Sequence, residues 1–537
     1  MNSQTKRASA WLGAALVLLS AAAGVRVALL GVDVRLHPDE ALFATQARTI
    51  ALGGDLFLRG ADVDKPPLTL YTMALSFRAL GAHEWSARLP NVFFSLLSVA
   101  TLYALARDLY RDRAVGWGAA ALWAFSPYAL GFAATAFTDV QAVFWGLLGM
   151  WSAVRGRWGW AGVALGLGTA CKTSTWQTVP LALVLGGLMQ AKSAPTEPLP
   201  PASTDRAAHA RQRGQRPLRK AGVWKLGLRD HVRSLAHMVA PLALSVGALM
   251  LWDATRAPRS FWALARAHNL PDRWARSDEV GARLSAWLGW ARWAVGAEWL
   301  GVALALGVGM LLVSGWRRRG CAAALDWTLA GYGLAWLGAY WLIAFNTYDR
   351  YLYPLVPFLL ILGARAWVSV WRALGARQSV ALVLIAALSA GSVLSARAAL
   401  RGELPLGGDR GRHNGIDGLA ATLNAKLAGV VVYDHWLGWE LGYYLGTSPR
   451  VQLRYMPQPE ALADDLRAAG EVRYLVAPEQ EVTFWLYVLR EAGCPAQRIE
   501  AVGRFAVYRL GLCAETSFDA SQPIFEVLPQ RRMIPKP

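Results

Sequence analysis

Apolar runs about as long as a bilayer is thick recur through this chain, and arginines close most of them. No other feature constrains the fold as strongly, because a run of roughly 20 apolar residues can satisfy its backbone in lipid only as a helix. The first run, Ala10–Val32, follows Lys6 and Arg7. It lacks a convincing small-residue cleavage site and reads as a retained helix with its N-terminus inside. Composition agrees: of 537 residues 55% are hydrophobic and 17% charged, which excludes a disordered chain, a collagen and a disulfide-dense secreted domain. The formal charge of +19 would suit nucleic acid. The basic residues sit beside the apolar runs, however, so they read as topology signals and no nucleic-acid partner is expected.

The positive-inside rule orders the remaining spans. Residues 33–90 form a first external loop, in which the short apolar stretch Leu68–Ala82 lies along the outer surface. A second span, Asn91–Leu109, ends among Arg107, Arg111 and Arg113 on the inside; a third, Ala114–Ala134, returns to a short external loop at 135–140; a fourth, Val140–Val154, reaches Arg155 and Arg157. Two short spans flank Lys172 and lead to Gln190. Between Ala191 and Ser234 ten Lys and Arg stand against three acids, which marks a basic cytoplasmic loop. A seventh span, Leu235–Trp252, opens a third large external loop at 253–292. The eighth closes on Arg317, Arg318 and Arg319, the ninth on Asn346, the tenth runs over Leu352–Trp371 and the eleventh over Ser379–Leu394.

Residues 1–400 are thus expected to be an α-helical polytopic module of about eleven transmembrane helices. They would lie in a plasma (inner) membrane with the N-terminus cytoplasmic. Over 401–537 the period changes: Val430–Tyr433, Val451–Tyr455 and Val472–Ala477 read as strands alternating with helical Glu440–Leu445, Pro459–Ala469 and Val482–Glu491, the pattern of a small extracytoplasmic α/β domain. Of four cysteines, Cys171 lies in an apolar stretch and Cys321 follows an arginine cluster, leaving Cys494 and Cys513 as the two that could pair.

The acids are informative because carboxylates beside a bilayer are costly to desolvate and mark functional sites. His37-Pro38-Asp39-Glu40 follows the first span and Thr138-Asp139 the third, both external by the span count. Pro38 suits the first turn of a helix running on to Leu52, with Asp39 at its N-terminal end. Complementing the helix dipole is an equally good reading of Asp39 and Glu40 taken alone. In Asp62-Val63-Asp64-Lys65-Pro66-Pro67, two prolines fix the backbone after Lys65, which either holds an anion or snorkels to headgroups. Arg350, between Tyr348 and Tyr351, runs against the outer-face charge bias and suits bidentate capture of a phosphate. Glu84 and Arg88, four apart, read first as a local helix ion pair. Lys172 is open between an anion contact and a snorkelling residue, and His268 reads as a surface histidine unless a carboxylate is brought to it.

In this order the pieces resemble the integral-membrane GT-C glycosyltransferases, specifically the superfamily of protein O-mannosyltransferases and aminoarabinose (ArnT-type) transferases. The resemblance covers about residues 10–400. It rests on Asp39-Glu40 after the first span, Lys65-Pro66-Pro67-Leu68, Arg88-Leu89-Pro90, Asp139 after the third span, and Arg350-Tyr351 before a proline-containing span. It implies transfer of a hexosyl or pentosyl group from a polyprenyl-phosphate donor to a lipid, glycan or protein acceptor at the outer face, with inversion. Asp39 would be the catalytic acid/base with Asp139 and Glu40 beside it, while Lys65, Arg350 and Tyr348 would hold the donor phosphate. No cofactor is required; a divalent metal such as zinc, bridging Asp64 and His268, is the one that the aminoarabinose branch suggests. Phe43 departs from the aromatic hydroxyl that many relatives carry.

Two other readings belong to different classes: a polytopic transporter or flippase for lipid-linked sugars, and a non-catalytic envelope scaffold. A transporter would put its charges near the bilayer midplane and show an inverted repeat. Here the acids cluster on one face and no repeat is visible. Intact Asp39, Lys65 and Asp139 count against the scaffold.

Overall fold

The computed structural model describes residues 3–193, 228–269, 271, 273–318, 320–374 and 378–513. Most of the basic stretch at 191–234 lies outside these residues. The chain divides into one unit ending at His413 and another beginning at Asn414. Residues 401–413, read above with the α/β domain, therefore belong with the helices. The physical reason is burial: Leu404 packs with Leu29, Leu130 and Ala133.

In the first unit the helices are α1 Ser3–Leu29, α2 Pro38–Leu52, α3 Leu68–Leu80, α4 Glu84–Tyr110, α5 Arg113–Phe125, α6 Pro127–Ala133, α7 Asp139–Val154 and α8 Trp158–Cys171. They continue as α9 Val179–Ser193, α10 Leu228–Ala254, α11 Phe261–Asn269, α12 Ser277–Ala291, α13 Glu298–Arg318, α14 Cys321–Leu342, α15 Val356–Leu374 and α16 Gln378–Leu400. Helix covers every stretch that the charge pattern marks as a span. Among the described residues five helices are long and apolar enough to cross a membrane on length and composition: Trp11–Leu29, Glu84–Tyr110, Val232–Ala254, Glu298–Arg317 and Val356–Leu374. The chain is a multi-pass membrane protein.

Local sequence explains the breaks. The third stretch is two helices, because Pro127 cannot continue α5 and instead starts α6 at its first position. Pro90 stays inside α4. It cannot donate to the carbonyl of Ser86, and the Ser76 hydroxyl donates there instead at 2.6 Å. Arg26, inside the first apolar run, would be costly against lipid. It is fully buried and donates to the Ser95 hydroxyl at 2.8 Å and to the carbonyls of Ala22 and Ala124.

The second unit is a five-stranded sheet in the order β2-β1-β3-β5-β4. Its strands are β1 Val431–Asp434, β2 Gln452–Tyr455, β3 Arg473–Pro478, β4 Ala496–Val502 and β5 Phe505–Leu510. The three strands expected from sequence run parallel, joined by helices Gly438–Tyr444 and Pro459–Ala469. The helix Ile416–Lys426 and the antiparallel β4–β5 hairpin were not anticipated. β4 sits at the sheet edge with most of its side chains exposed, so it carries no apolar alternation to read. Apolar clusters centred on Leu462, Leu466 and Leu489, and on Leu419, Leu423 and Val476, form the core.

Cys494 and Cys513 form a disulfide, while Cys171 and Cys321 are free thiols. Alkylation of the denatured, unreduced protein should therefore mark Cys171 and Cys321 alone, with Cys494 and Cys513 gaining label after reduction. Labelling of all four before reduction would contradict the bond.

Candidate active site

Asp39 is presented by the first turn of α2. Pro38 occupies N1 with its fixed φ, and His37 is the N-cap: its ring Nδ1 accepts from the Asp39 backbone N–H at 3.2 Å, while the His37 N–H donates to the Glu40 carboxylate at 3.0 Å. This reciprocal box aims Asp39 and Glu40 in different directions. Glu40 turns inward and is fully buried. Its carboxylate accepts from the Ala136 backbone N–H at 2.6 Å and faces the Arg88 guanidinium at 3.5 Å. Burial pushes the Glu40 carboxyl above its ordinary value, against the pull of Arg88 and these backbone donors. Glu40 thus ties the Ala136 backbone to the Arg88 guanidinium.

Arg88 has more partners than a local helix pair with Glu84, which lies at 3.8 Å. It donates to the carbonyls of Val34 and Arg35, each at 3.0 Å, so α4 grips the start of the first loop. One turn on, the Asn91 amide donates to the carbonyls of Thr135 and Phe137, both at 2.7 Å. Asn91 and Glu40 thus fix from two sides the segment that ends at Asp139, the first residue of α7. Asp139 is buried and meets the Lys172 ammonium at 2.5 Å. Lys172 follows α8, and its ammonium also lies over the Tyr351 ring at 5.5 Å. Burial holds Lys172 below the ordinary lysine range in spite of Asp139.

Arg350 reaches this cluster from the other end of the helical unit. It lies in a short 3₁₀ turn, Asp349–Tyr351. The Asp349 carboxylate accepts the Arg350 N–H and the Gly407 N–H, each at 2.8 Å. Arg283 of α12 donates to the carbonyls of Tyr340, Ile343 and Phe345, and the Trp290 indole to that of Thr347, so the third loop sets the approach to the turn. The guanidinium forms an ion pair with the Asp39 carboxylate and lies against the rings of Phe137, Tyr348 and Tyr351. Burial alone would push Asp39 up; the Arg350 charge, with His37 and Lys65, holds it below its ordinary value. Arg350 itself is driven up by the charges of Asp39, Tyr351 and Asp139, which more than offset its burial.

Lys65 pairs with Asp64 at 2.7 Å. His268 comes to 3.8 Å from the same carboxylate, so the two residues named for a metal do meet. They provide two donors, one already shared with an ammonium, where catalytic zinc takes three protein ligands. No group of three or more His, Cys, Asp or Glu able to hold a metal occurs among the described residues. This pair does not by itself fit a zinc site.

The family profile described as dolichyl-phosphate-mannose-protein mannosyltransferase matches residues 64–193. The stretch includes Asp64, Lys65, Asp139 and Lys172, and stops short of Asp39 and Arg350 on either side. An undecaprenyl phosphate-alpha-4-amino-4-deoxy-L-arabinose arabinosyl transferase of Pseudomonas aeruginosa (strain LESB58) is 29% identical over 163 residues, 28% of this chain and 30% of that protein. The chain's match thus spans less than a third of its curated relatives. Over the whole fold, apo ArnT from Cupriavidus metallidurans aligns with a TM-score of 0.63 at 16% identity, covering 93% of this chain and 98% of that one. The same protein bound to undecaprenyl phosphate aligns with a TM-score of 0.59, again at 16% identity and with the same coverage. The chain thus shares the fold of ArnT, and its residues 64–193 match the protein mannosyltransferase profile.

Sequence reasoning in the GT-C frame named Asp39, Asp139, Lys65 and Arg350, but not their pairing. It missed His37, Asn91, Arg283 and Asp349 as positioning residues. A signal existed for Asn91, which directly follows Arg88-Leu89-Pro90, and for Asp349, adjacent to Arg350. Tyr348 is present beside Arg350, its ring 5.2 Å from the guanidinium.

The Asp39–Arg350 pair makes a signed prediction. With its folded value below the unfolded one, Asp39 stabilises the protein above the unfolded carboxylate pKa of about 3.9, and this is lost as pH falls through the folded value. In Arg350→Met the carboxylate keeps its burial without its main partner, so its pKa should rise and the sign reverse. Stability should then drop, relative to the parent, as pH increases from about 4 to 7, by about 1–3 kcal/mol. Adding Asp39→Asn should remove that dependence. Melting curves of Arg350→Met that run parallel to the parent's at every pH would contradict the pairing.

Proposed function

We propose that this chain transfers a sugar from a polyprenyl-phosphate donor to an acceptor hydroxyl or amine at the outer face of the membrane, with inversion. The observation that carries the reading is the set of three cation–carboxylate pairs, Arg350–Asp39, Lys172–Asp139 and Lys65–Asp64. Each cation able to hold a phosphate keeps a carboxylate in its place. The polyprenyl-phosphate recognition named for the ArnT structure and the aminoarabinosyl relatives supports the same donor class.

The geometry suggests an exchange. A donor phosphate arriving at Arg350 can take the guanidinium bidentately and release Asp39 from the charge that depresses its basicity. Asp39 then accepts the proton of the attacking acceptor. The new bond forms at the anomeric carbon as its bond to the phosphate oxygen breaks, and a single displacement inverts that centre. Arg350, Lys172 and Lys65 stabilise the negative charge gathering on the departing polyprenyl phosphate. No nucleotide pocket is needed, since the energy resides in the glycosyl phosphate bond. The reaction is derived without a metal. A divalent ion at Asp64 and His268 would add charge beside Lys65 and would need ligands beyond these two. Asp39, Asp139 and Arg350 all sit at helix ends or in a turn, which suits chemistry at a surface better than a transport path through the midplane.

Orientation is part of the proposal. We take the N-terminus and residues 191–234 as cytoplasmic, the acid-bearing loops and the C-terminal unit as extracytoplasmic, and the whole as a plasma (inner) membrane protein of about eleven spans. The Cys494–Cys513 bond supports the outer placement of that unit, since disulfides persist in oxidising compartments. Cysteine labelling of intact cells should reach engineered sites at 60, 270 and 460, and reach 210 only after the membrane is breached. Protection of 460 would overturn the topology.

The catalytic assignment is tested with purified protein in nanodiscs supplied with a polyprenyl-phosphate sugar. Asp39→Asn should lower turnover by about 10²- to 10⁴-fold while donor binding persists. Lys65→Ala and Arg350→Ala should instead weaken productive use of the donor by about tenfold to over a hundredfold. Full activity in Asp39→Asn would end its role as the base, and parental rates in both cation variants would end the phosphate clamp.

A further inference from the structure

Apart from the Asp39–Arg350–Asp139 cluster, a cavity of about 1010 Å³ opens between α5, α13, α15 and α16. None of its lining residues belongs to the cluster or its positioning network. Its volume lies at the upper end of the roughly 300–1,000 Å³ typical of ligand pockets. The walls are almost wholly apolar, with Leu122, Trp299, Leu304 and Trp367 among them. A chamber of that character set among membrane-spanning helices is not a stable place for water, which needs several polar partners. Acyl chains suit it.

One stripe of α16, continued by Arg401 directly after its last residue, says which end takes a headgroup. Ser389, Val393, Arg397 and Arg401 recur every four residues, and all four line the cavity. Residues so spaced share one helix face, so the stripe runs from an apolar depth to two guanidinium groups one turn apart. Over twelve residues at 1.5 Å each, that depth is about 18 Å, close to half of the roughly 30 Å hydrocarbon core. Arg397 makes no ion pair among the described residues. Arg401 has only a long contact of 3.9 Å with Glu403, both side chains more than half exposed. Two uncommitted arginines at the mouth of an apolar chamber one leaflet deep present the donors that a phosphodiester accepts.

We infer that this chamber binds a diacyl glycerophospholipid with an anionic headgroup, its acyl chains among α5, α13 and α15 and its phosphate on Arg397 and Arg401. The site is independent of the sugar-transfer reading, since it shares no residue with the proposed chemistry. Depth favours this occupant over a polyprenyl phosphate, whose chain is too long for one leaflet.

The test uses the full chain in phosphatidylcholine nanodiscs containing a trace of phosphatidylglycerol with a diazirine on its acyl chain. Illumination should label peptides from α13, α15 or α16, unlabelled phosphatidylglycerol should compete, and the matching phosphatidylcholine probe should label these peptides at least several-fold less. Arg397→Gln with Arg401→Gln should lower phosphatidylglycerol labelling by about tenfold and leave phosphatidylcholine labelling unchanged. Ala303→Phe, which fills the chamber, should lower both. Equal labelling by the two headgroups in the parent, labelling confined to other helices, or displacement of the probe by polyprenyl phosphate but not by phosphatidylglycerol would each overturn the assignment. These readouts in the parent protein do not depend on any variant folding, and none of them measures sugar transfer, so failure here leaves the catalytic proposal standing and the reverse.

Discussion

The buried guanidinium of Arg88 holds the acid-bearing loops in register. It carries two backbone carbonyls of the segment before α2 and faces Glu40, and Glu40 in turn holds the backbone N–H of Ala136. A charged pair of this kind gains little net stability from its Coulomb energy, because desolvating both groups costs nearly as much. Its consequence is geometric. Removing either partner would strand the other in the interior, so the loop that starts at Asp33 and the segment that ends at Asp139 can move only together. Asn91, three residues after Arg88 and therefore on nearly the same face of α4, ties down the second segment independently. Asp39 and Asp139 are a hundred residues apart in sequence, yet a single turn of one helix determines where both stand.

Much of this frame was legible from local chemistry. Pro38 ahead of Asp39-Glu40 announces a helix start, and the structure begins α2 there. What could not be read was which of the two acids looks outward. That depends on His37 serving as N-cap and on Ala136 and Arg88 claiming Glu40, partners separated from it by tens of residues. The same limit hid the ion pairs. Arg350 and Asp39 lie 311 positions apart, and no periodicity encodes such a pairing. Lys172 remained ambiguous because a lone lysine after an apolar helix has the pattern of a snorkelling side chain; its meeting with Asp139 is a property of how α7 packs on α8. In the second unit the buried strands β1 and β3 were readable from their apolar runs, whereas β4, whose side chains are mostly exposed, carries no apolar alternation to read.

The pairing also changes how the cations of the cluster are understood. Three positive side chains gathered between helices, without counter-ions, would repel one another and bear a large desolvation cost. Each instead rests against a carboxylate. A neutral resting cluster costs less to hold in a low-dielectric setting, and it sets a condition on anything that binds: a ligand must bring enough negative charge, in a geometry matched to a planar guanidinium, to displace a carboxylate already in place. A phosphate group meets that condition and a neutral lipid headgroup does not. On the proposed reading this is also how donor binding and base activation are coupled. The event that seats the phosphate on Arg350 is the one that removes the charge depressing Asp39, so the carboxylate gains basicity only when there is a leaving group for it to work against.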